Sequence, residues 1–317
     1  MQKIKLSNPL NTLEITNLAV GHGKLAEGSE FCKWYLDAYL DAGGNCIDTA
    51  RVYDGGRAER AVGGFLRGKQ RDRIILVTKC AHFDLALPYP APARLSAEDI
   101  TSDVDTSLSE LGVDCIDILF LHRDDIKRPV EEIMPVLHGL VKAGKVRVLG
   151  ASNWTGARIQ EANGFAQKNG LMPFSISQIN YSLALTTPAS SGDWTHVIMD
   201  DIEHSWYAHT KLPVMSWSSS AKGFFSRAAD GGELSAKQME RYGWLAENHR
   251  RAERAKALAA ELGVPVGALI LAYLMCDPDV PVCALSSFSN RQQYEEAVEA
   301  ARISLTREQR GYLQGTA

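Results

Sequence analysis

Eight short apolar runs, with helical stretches between them, constrain this sequence more than any other feature. They are Leu18–Gly21, Asn45–Asp48, Ile74–Thr78, Ile116–Leu121, Val146–Gly150, Ile176–Ile179, Pro213–Trp217 and Val282–Leu285, each four to six residues long. A strand wetted on one face alternates polar and apolar residues, whereas a parallel strand covered on both faces reads as nearly continuous apolar and β-branched sequence. The runs follow the second pattern and predict buried parallel strands.

Between them, apolar residues recur at helical spacing in Phe31–Ala42, Ser96–Leu111, Pro129–Ala143, Thr155–Gln167, Asp200–His209, Ala246–Glu261 and Arg291–Ala301, with Pro265–Met275 as an extra helix before the last run. Gly43, Gly112 and Gly144 supply stops. Ser96 followed by Asp99 is a weakened capping box, and Pro129 suits a first helical turn. Strand–helix repetition of this kind predicts a βαβ series, and eight units close into a (β/α)8 TIM barrel of the α/β class. A doubly wound open sheet competes, but no GxGxxG follows the first run. Lys3–Ile15 is expected to form a short N-terminal hairpin under the barrel floor, turning at Asn11. One domain is expected over residues 1–317, with the barrel proper at about 17–303. The long connections His82–Leu95 and Ser218–Trp244 are of a length that is usually functional or mobile.

Charge narrows the partners. A formal net charge of -4 gives no basic surface for nucleic acid or anionic membrane. No stretch reaches the roughly 18 apolar residues of a spanning helix. MQKIKLSNPLNTLEI does not read as a signal peptide. A cytoplasmic protein is expected. The six cysteines form no CxxC pair and read as small hydrophobes in a reducing compartment. A closed barrel supplies its polar groups from one chain, so a monomer or loose homo-oligomer is expected.

Reactive side chains fall at the C-terminal ends of the runs, the face where barrel enzymes hold their chemistry. Asp48, Lys79, His122, Ser152, Asn153, Gln178, Asn180 and Trp217 all stand there. A buried Asp or Lys is costly unless paired, and adjacent strands would let Asp48 and Lys79 pair with each other. Tyr53 follows five residues after Asp48. An ammonium beside a phenol favours phenolate, so Tyr53 could give a proton to a carbonyl oxygen as hydride arrives at carbon. His122 would orient that oxygen or help relay the proton. Singly, each residue has an ordinary structural explanation; the four together, at successive barrel positions, are harder to explain that way.

The stretches DTARVYDGGRAERAVG (Asp48–Gly63), ILVTK ending at Lys79, LFLHRDD (Leu119–Asp125), VRVLGASNW (Val146–Trp154), SQINYS and MSWSSSAKGFF carry a resemblance. Over residues of about 12 to 303 the chain resembles an aldo-keto reductase, in particular bacterial members known only as general oxidoreductases. The resemblance implies a catalytic tetrad of Asp48, Tyr53, Lys79 and His122. It implies NADP(H) or NAD(H) bound without a dinucleotide-fold domain, and a small carbonyl or alcohol substrate. Ser152, Asn153 and Gln178 match positions that hydrogen-bond the nicotinamide carboxamide. Trp217 matches the aromatic stacked on the ring, and Ser218, Ser220 and Lys222 match the loop over the pyrophosphate. Ser287, Ser289, Asn290 and Gln293 match the 2′-phosphate region, where Ser287 and Gln293 replace the frequent basic pair. NADP(H) is favoured, since hydroxyl, amide and helix-start groups still bind phosphate, and NAD(H) is the alternative. The substrate pocket is expected to include His22, Tyr53, Phe83, His122, Trp154 and Tyr181, with His82 beside them, and no long C-terminal tail to close it.

Two other functions compete. A metal-dependent hydrolase on the same barrel would use His22, His82, His122 and Asp48, but there is no HxH pair and Lys79 is a poor neighbour for a cation; no metal is expected. A non-enzymatic cofactor-binding subunit would keep the barrel without turnover.

Overall fold

The computed structural model describes residues 1–21, 29–89 and 91–316. Strands β1 (Lys3–Ser7) and β2 (Thr12–Thr16) form a two-stranded sheet. Asn8 and Asn11 build its turn: the Asn8 amide nitrogen donates to the Asn11 carbonyl at 2.9 Å, and the Asn11 amide nitrogen donates to Asn8 Oδ1 at 2.8 Å. Both side-chain amides then donate to the carbonyl of Arg147, tying the hairpin to the start of a barrel strand.

The eight expected strands are all present: β3 (Leu18–Gly21), β4 (Cys46–Asp48), β5 (Ile75–Cys80), β6 (Ile116–Leu121), β7 (Val146–Ser152), β8 (Phe174–Asn180), β9 (Val214–Trp217) and β10 (Val282–Ser286). They close a barrel in the order β10-β3-β4-β5-β6-β7-β8-β9. The expected (β/α)8 barrel with an N-terminal hairpin is the observed fold. Within the chain, two compact units can be distinguished. One, the N-terminal unit, comprises Lys5–Ile15 and Val20–Gln178; the other, the C-terminal unit, comprises Met1–Ile4, Thr16–Ala19 and Ile179–Ala317.

In the N-terminal unit, register decides which side chains share a face. Asp48 pairs with Val77, Lys79 with Phe120, Phe120 with Gly150, and Ser152 with Gln178. Side chains alternate with period two along a strand. Lys79, two residues beyond Val77, therefore lies on the face of Asp48. By the same step His122 shares the face of Phe120, and Ser152 that of Gly150.

The expected helices are present within one or two residues of their expected bounds, from Glu30–Asp41 to Arg291–Ala300. Ser96 caps Ala97–Leu111 by accepting from the Asp99 amide nitrogen. Among the described residues, two helices of eight or more residues lie outside the expected set. Arg57–Leu66 contains Gly63 and Gly64, which break its apolar spacing. Its Gly63 lies so close to the end of helix Ala97–Leu111 that a Cβ would stand 2.6 Å from the Leu111 carbonyl oxygen. Arg307–Gln314 is largely polar and is started by a capping box of Thr306 and Gln309.

In the C-terminal unit, the long connection after β9 holds the short helices Phe224–Ala229 and Ala236–Gln238 and a π-helical turn at Met239–Gly243. Helix Val266–Met275 is buried from Ala268 onward. Among the described residues no single helix is long and apolar enough to cross a membrane; Ala246–Leu262 and Val266–Met275 reach the needed hydropathy only as a pair bent by 97°. All six cysteines are free thiols.

Candidate active site

Asp48 ends β4, beside Gly21 on β3. A Cβ at Gly21 would stand 2.5 Å from the Asp48 carbonyl oxygen and 2.9 Å from its Cβ, so only glycine lets the two strands meet here. After β4 the chain stays zipped to β5: the amide nitrogens of Thr49 and Arg51 donate to the carbonyls of Val77 and Lys79. This lays the next turn back along β5. Tyr53 opens a 3-10 turn over Tyr53–Gly56, and its ring centroid lies 5.0 Å from Lys79 Nζ.

Lys79 and Asp48 are 1% and 2% exposed, with Nζ 2.6 Å from Asp48 Oδ2. A second Lys79 donor reaches the Thr49 carbonyl at 2.7 Å. Gln178 Nε2 donates to Asp48 Oδ1 at 3.1 Å. Burial drives both charged groups toward their neutral forms. It lifts the Asp48 carboxyl, against the ammonium and the Gln178 amide. It opposes the Lys79 charge too, but Asp48 and Tyr53 outweigh it and hold Lys79 above the ordinary lysine range. These two upward shifts point in opposite directions for an ion pair. The hydrogen bonds decide for the pair: both Asp48 oxygens accept, which suits a carboxylate.

His122 follows β6, its amide nitrogen on the Cys80 carbonyl at 2.8 Å. Its ring meets Tyr53 edge-on, centroids 5.6 Å apart, and meets His82 edge-on at 4.6 Å. Asn153 leaves β7 in the left-handed region (φ 57). Its Nδ2 donates to the His122 carbonyl at 3.3 Å and to Ser152 Oγ at 3.1 Å. One face of the N-terminal unit thus brings together Asp48, Tyr53, Lys79, His122, Ser152, Asn153 and Gln178. Phe83 stands next to His82 with Arg123 over its ring.

The other expected residues keep different company. Trp154 is fully buried, packed against Phe174 and under Arg158. The Tyr181 hydroxyl donates to Asp277 at 2.7 Å, in a cluster with His204 and Arg310. His22 lies outside the described residues. In the C-terminal unit, Trp217 ends β9 and meets the His196 ring at a tilt of 58°, centroids 4.6 Å apart. Ser218 and Lys222 adopt left-handed backbone, and Ser220 lies between them. Ser287, Ser289, Asn290 and Gln293 are exposed after β10; Asn290 caps Arg291–Ala300 by accepting from the Gln293 amide nitrogen.

Around Lys222 the structure gathers residues the sequence did not single out. Gln238 Nε2 donates to the Lys222 carbonyl at 2.9 Å. Desolvation of the ammonium, then the charges of Arg241 and Lys237, pull Lys222 down to about 8. The residue as a whole is exposed, so solvent screening tempers that pull. Arg241 and Lys237 lie fifteen and more residues away in sequence, and no local spacing announces them.

Two cavities, of about 580 and 620 Å³, are lined by none of the residues gathered around Lys79; Arg71, Asp117 and Arg147 line the first, and the expected pocket residue Tyr181 lines the second with Asp277 and Arg310. Chemistry rather than volume marks the cluster of Asp48, Tyr53, Lys79 and His122 as the candidate site. Among the described residues no group of three or more His, Cys, Asp and Glu is placed to hold a metal ion.

The family profile described as "Aldo/keto reductase family" matches residues 21–316. The chain belongs to the aldo/keto reductase family. Among reductases and dehydrogenases it resembles, the norsolorinic acid reductase of Aspergillus flavus is 30% identical over 76% of this chain. The matched part spans only 60% of that relative's length. The 6-dehydroglucose reductase of Agrobacterium fabrum is 27% identical over 97% of this chain and 95% of its own. The aryl-alcohol dehydrogenase [NADP(+)] of Phanerodontia chrysosporium is 28% identical over 89% of this chain and 74% of its own. Two of these three aldo/keto reductase relatives are fungal and one bacterial, so the narrower likeness to bacterial general oxidoreductases is not distinctive.

Proposed function

We propose that this chain is a nicotinamide-dependent oxidoreductase that reduces a small aldehyde or ketone to the alcohol and runs the reverse oxidation. The observation that carries the reading is the sealed Lys79–Asp48 ion pair beside the Tyr53 ring. A buried ion pair is a weak way to gain stability; a fixed ammonium next to a half-buried phenol is useful to proton transfer.

When bound, a reduced nicotinamide supplies the hydride. The Tyr53 hydroxyl gives its proton to the carbonyl oxygen as negative charge grows there. The phenolate left behind is stabilised by the Lys79 ammonium, and it recovers a proton from solvent. Asp48 keeps that ammonium charged and aimed, and Gln178 holds Asp48. His122 fixes the substrate oxygen between its ring and the phenol. In the oxidative direction the phenolate is the base, so alcohol oxidation rises with pH.

The residues present fit such a cofactor. Lys222, with Arg241 and Lys237 close by, is a cationic group in need of an anion, which a pyrophosphate provides. Ser152, Asn153 and Gln178 offer amide and hydroxyl groups suited to a carboxamide. The Trp217 indole offers a flat face, and its buried Nε1 has no hydrogen-bond partner among the described residues. We take NADP(H) as favoured over NAD(H), with Ser287, Ser289, Asn290 and Gln293 toward the 2′-phosphate; the Phanerodontia relative, an aryl-alcohol dehydrogenase [NADP(+)], supports this choice. Every group proposed comes from one chain, consistent with a monomer or loose homo-oligomer. The metal-hydrolase alternative loses Asp48, whose oxygens are taken by Lys79 and Gln178.

Single-turnover hydride transfer in Tyr53→Phe with saturating NADPH tests the reading. Cofactor binding should persist while the rate falls by about 10²–10⁴-fold. A near-wild-type rate would remove Tyr53 from the chemistry, and no binding of NADPH or NADH by the wild type would sink the oxidoreductase reading.

A further inference from the structure

The loop after β5 begins two residues beyond Lys79. Its first residue, Ala81, is buried and left-handed (φ 62). An alanine there meets its own Cβ, a conformation glycine adopts without that penalty. The Ala81 amide nitrogen donates to Asp103 Oδ2 at 2.9 Å. Asp103 is 5% exposed and projects from helix Ala97–Leu111. Its other oxygen, Oδ1, accepts from Arg94 Nη1 at 2.8 Å, and Arg94 is braced by Asp99 at 3.1 Å. Ala81 and Arg94 are the two ends of the loop, and one carboxylate holds both.

The loop's tip is largely exposed, with Tyr89 meeting the Phe83 ring edge-on. Leu85, Leu87 and Tyr89 are 65%, 53% and 46% exposed. What Ala81 does decide is how the chain leaves the strand. An extended residue would continue the period-two alternation of β5; the left-handed turn breaks it at His82. His82 then meets His122 edge-on, and Phe83 lies beneath Arg123.

We infer that Asp103 is a positioning residue that clasps both ends of the 81–94 loop and so sets His82 and Phe83 beside His122 on the substrate side of the site. The inference rests on the oxidoreductase reading for its kinetic consequence, but not for its structural one. Asp103 acts through the Ala81 N–H as acceptor and through Arg94 as counter-charge. It does not touch the reacting atoms, and it should affect carbonyl substrate more than cofactor.

Two readouts separate these levels. Amide hydrogen exchange at residues 81–83 reads the clasp without substrate or cofactor. Turnover of 4-nitrobenzaldehyde with NADPH reads its consequence. Asp103→Ala should speed that exchange at least tenfold and lower kcat/KM about tenfold, with NADPH affinity within twofold of wild type. Asp103→Asn keeps an acceptor for Ala81 and should stay within about threefold of wild type. Ala81→Gly in the Asp103→Ala background should recover several-fold of the loss, because glycine holds the left-handed turn unaided. If Asp103→Ala does not fold, Arg94→Met releases only the partly exposed end of the clasp; it should raise KM about threefold with kcat unchanged. Unchanged exchange in Asp103→Ala, an Asn variant as impaired as the Ala variant, no recovery with glycine, a loss confined to NADPH binding, or an unchanged KM in Arg94→Met would each overturn the clasp. A wild type that binds neither NADPH nor NADH would defeat the oxidoreductase reading instead, and the exchange measurement would still judge Asp103.

Discussion

Lys79, in the N-terminal unit, is 1% exposed and has Asp48 at 2.6 Å. Lys222, in the C-terminal unit, is exposed as a residue, but its ammonium is partly desolvated and has Arg241 and Lys237 as neighbours. Burial opposes the charge on Lys79, yet the ion pair keeps it above the usual lysine range; Lys222 is drawn down to about 8. An ammonium supplied with its own carboxylate is a permanent fixture, whatever binds nearby. An ammonium among like charges is incomplete until an anion arrives. The first arrangement suits a group that must hold charge through a reaction; the second suits a group whose task is to bind.

The largest effect expected from breaking this contrast is in Lys79→Met. It leaves Asp48 buried without its counter-ion, which should cost about 3–5 kcal/mol of stability. It should also cut turnover by about 10²–10⁴-fold, close to the loss in Tyr53→Phe. Chemical denaturation and stopped-flow reduction would measure the two. If the residues work as one unit, the Tyr53→Phe, Lys79→Met double variant loses far less than the product of the single losses; independent, multiplicative losses would contradict the proposed coupling.

Adding Asp48→Leu to Lys79→Met sharpens the first half of the comparison. An apolar pair in place of the ion pair should restore most of the lost stability and none of the turnover. Recovery of both would mean that the pair is structural.

Lys222→Met tests the other half. Loss of one charged hydrogen bond to a phosphate, about 1.5–3 kcal/mol, should weaken NADPH binding roughly ten- to hundredfold and leave the maximal rate nearly unchanged. The pH dependence has a definite sign. The free protein's Lys222 titrates at about 8, and only its protonated form offers the anion a charge. An anion raises that value on binding, so NADPH takes up a proton between about pH 8 and 9, and affinity falls above pH 8. Titration calorimetry in buffers of different ionisation heat would detect the uptake. Release of a proton, or affinity constant to pH 10, would contradict the assignment.

A smaller effect is expected at Trp217. Trp217→Ala should weaken NADPH binding by up to about tenfold, the scale of one aromatic contact at about 0.5–1.5 kcal/mol, and Trp217→Phe by less. Equilibrium fluorescence titration would rank them; equal affinities in all three would remove the stacking role. Treatment with a chelator should have no effect at all, because the cation that Asp48 holds is an ammonium.

Much of this was legible from residues in order. All eight barrel strands appear as apolar runs because a strand buried on both faces has no polar positions to disguise it. The helices with a cap and a glycine stop were legible as well. Helix Arg57–Leu66 was not: Gly63 reads as a breaker, and its reason for being glycine lies in the Leu111 carbonyl 48 residues on. Helix Arg307–Gln314 was missed because it buries little besides Arg310 and Leu313. Tyr181, expected in the substrate pocket, lines a cavity, and its hydroxyl donates to Asp277, a partner 96 residues on that no local spacing announces. Gln178 is expected to serve a cofactor amide; the hydrogen bond from its nitrogen to Asp48 is an added tie that no local spacing announces.

The sequence alone determined the alternation of strands and helices and put an Asp, a Lys and a His at successive strand ends with a Tyr in the loop after the first of them, since hydrophobic period and position along a strand are local properties. Only the tertiary structure decided which of those groups meet. The stagger of neighbouring strands sets Asp48 against Lys79, the left-handed turn at Ala81 depends on a carboxylate from the following helix, and Arg241 and Lys237 reach Lys222 through chain folded back from beyond it. Pairing and electrostatics are sums over neighbours in space, and a linear order of residues does not contain those distances.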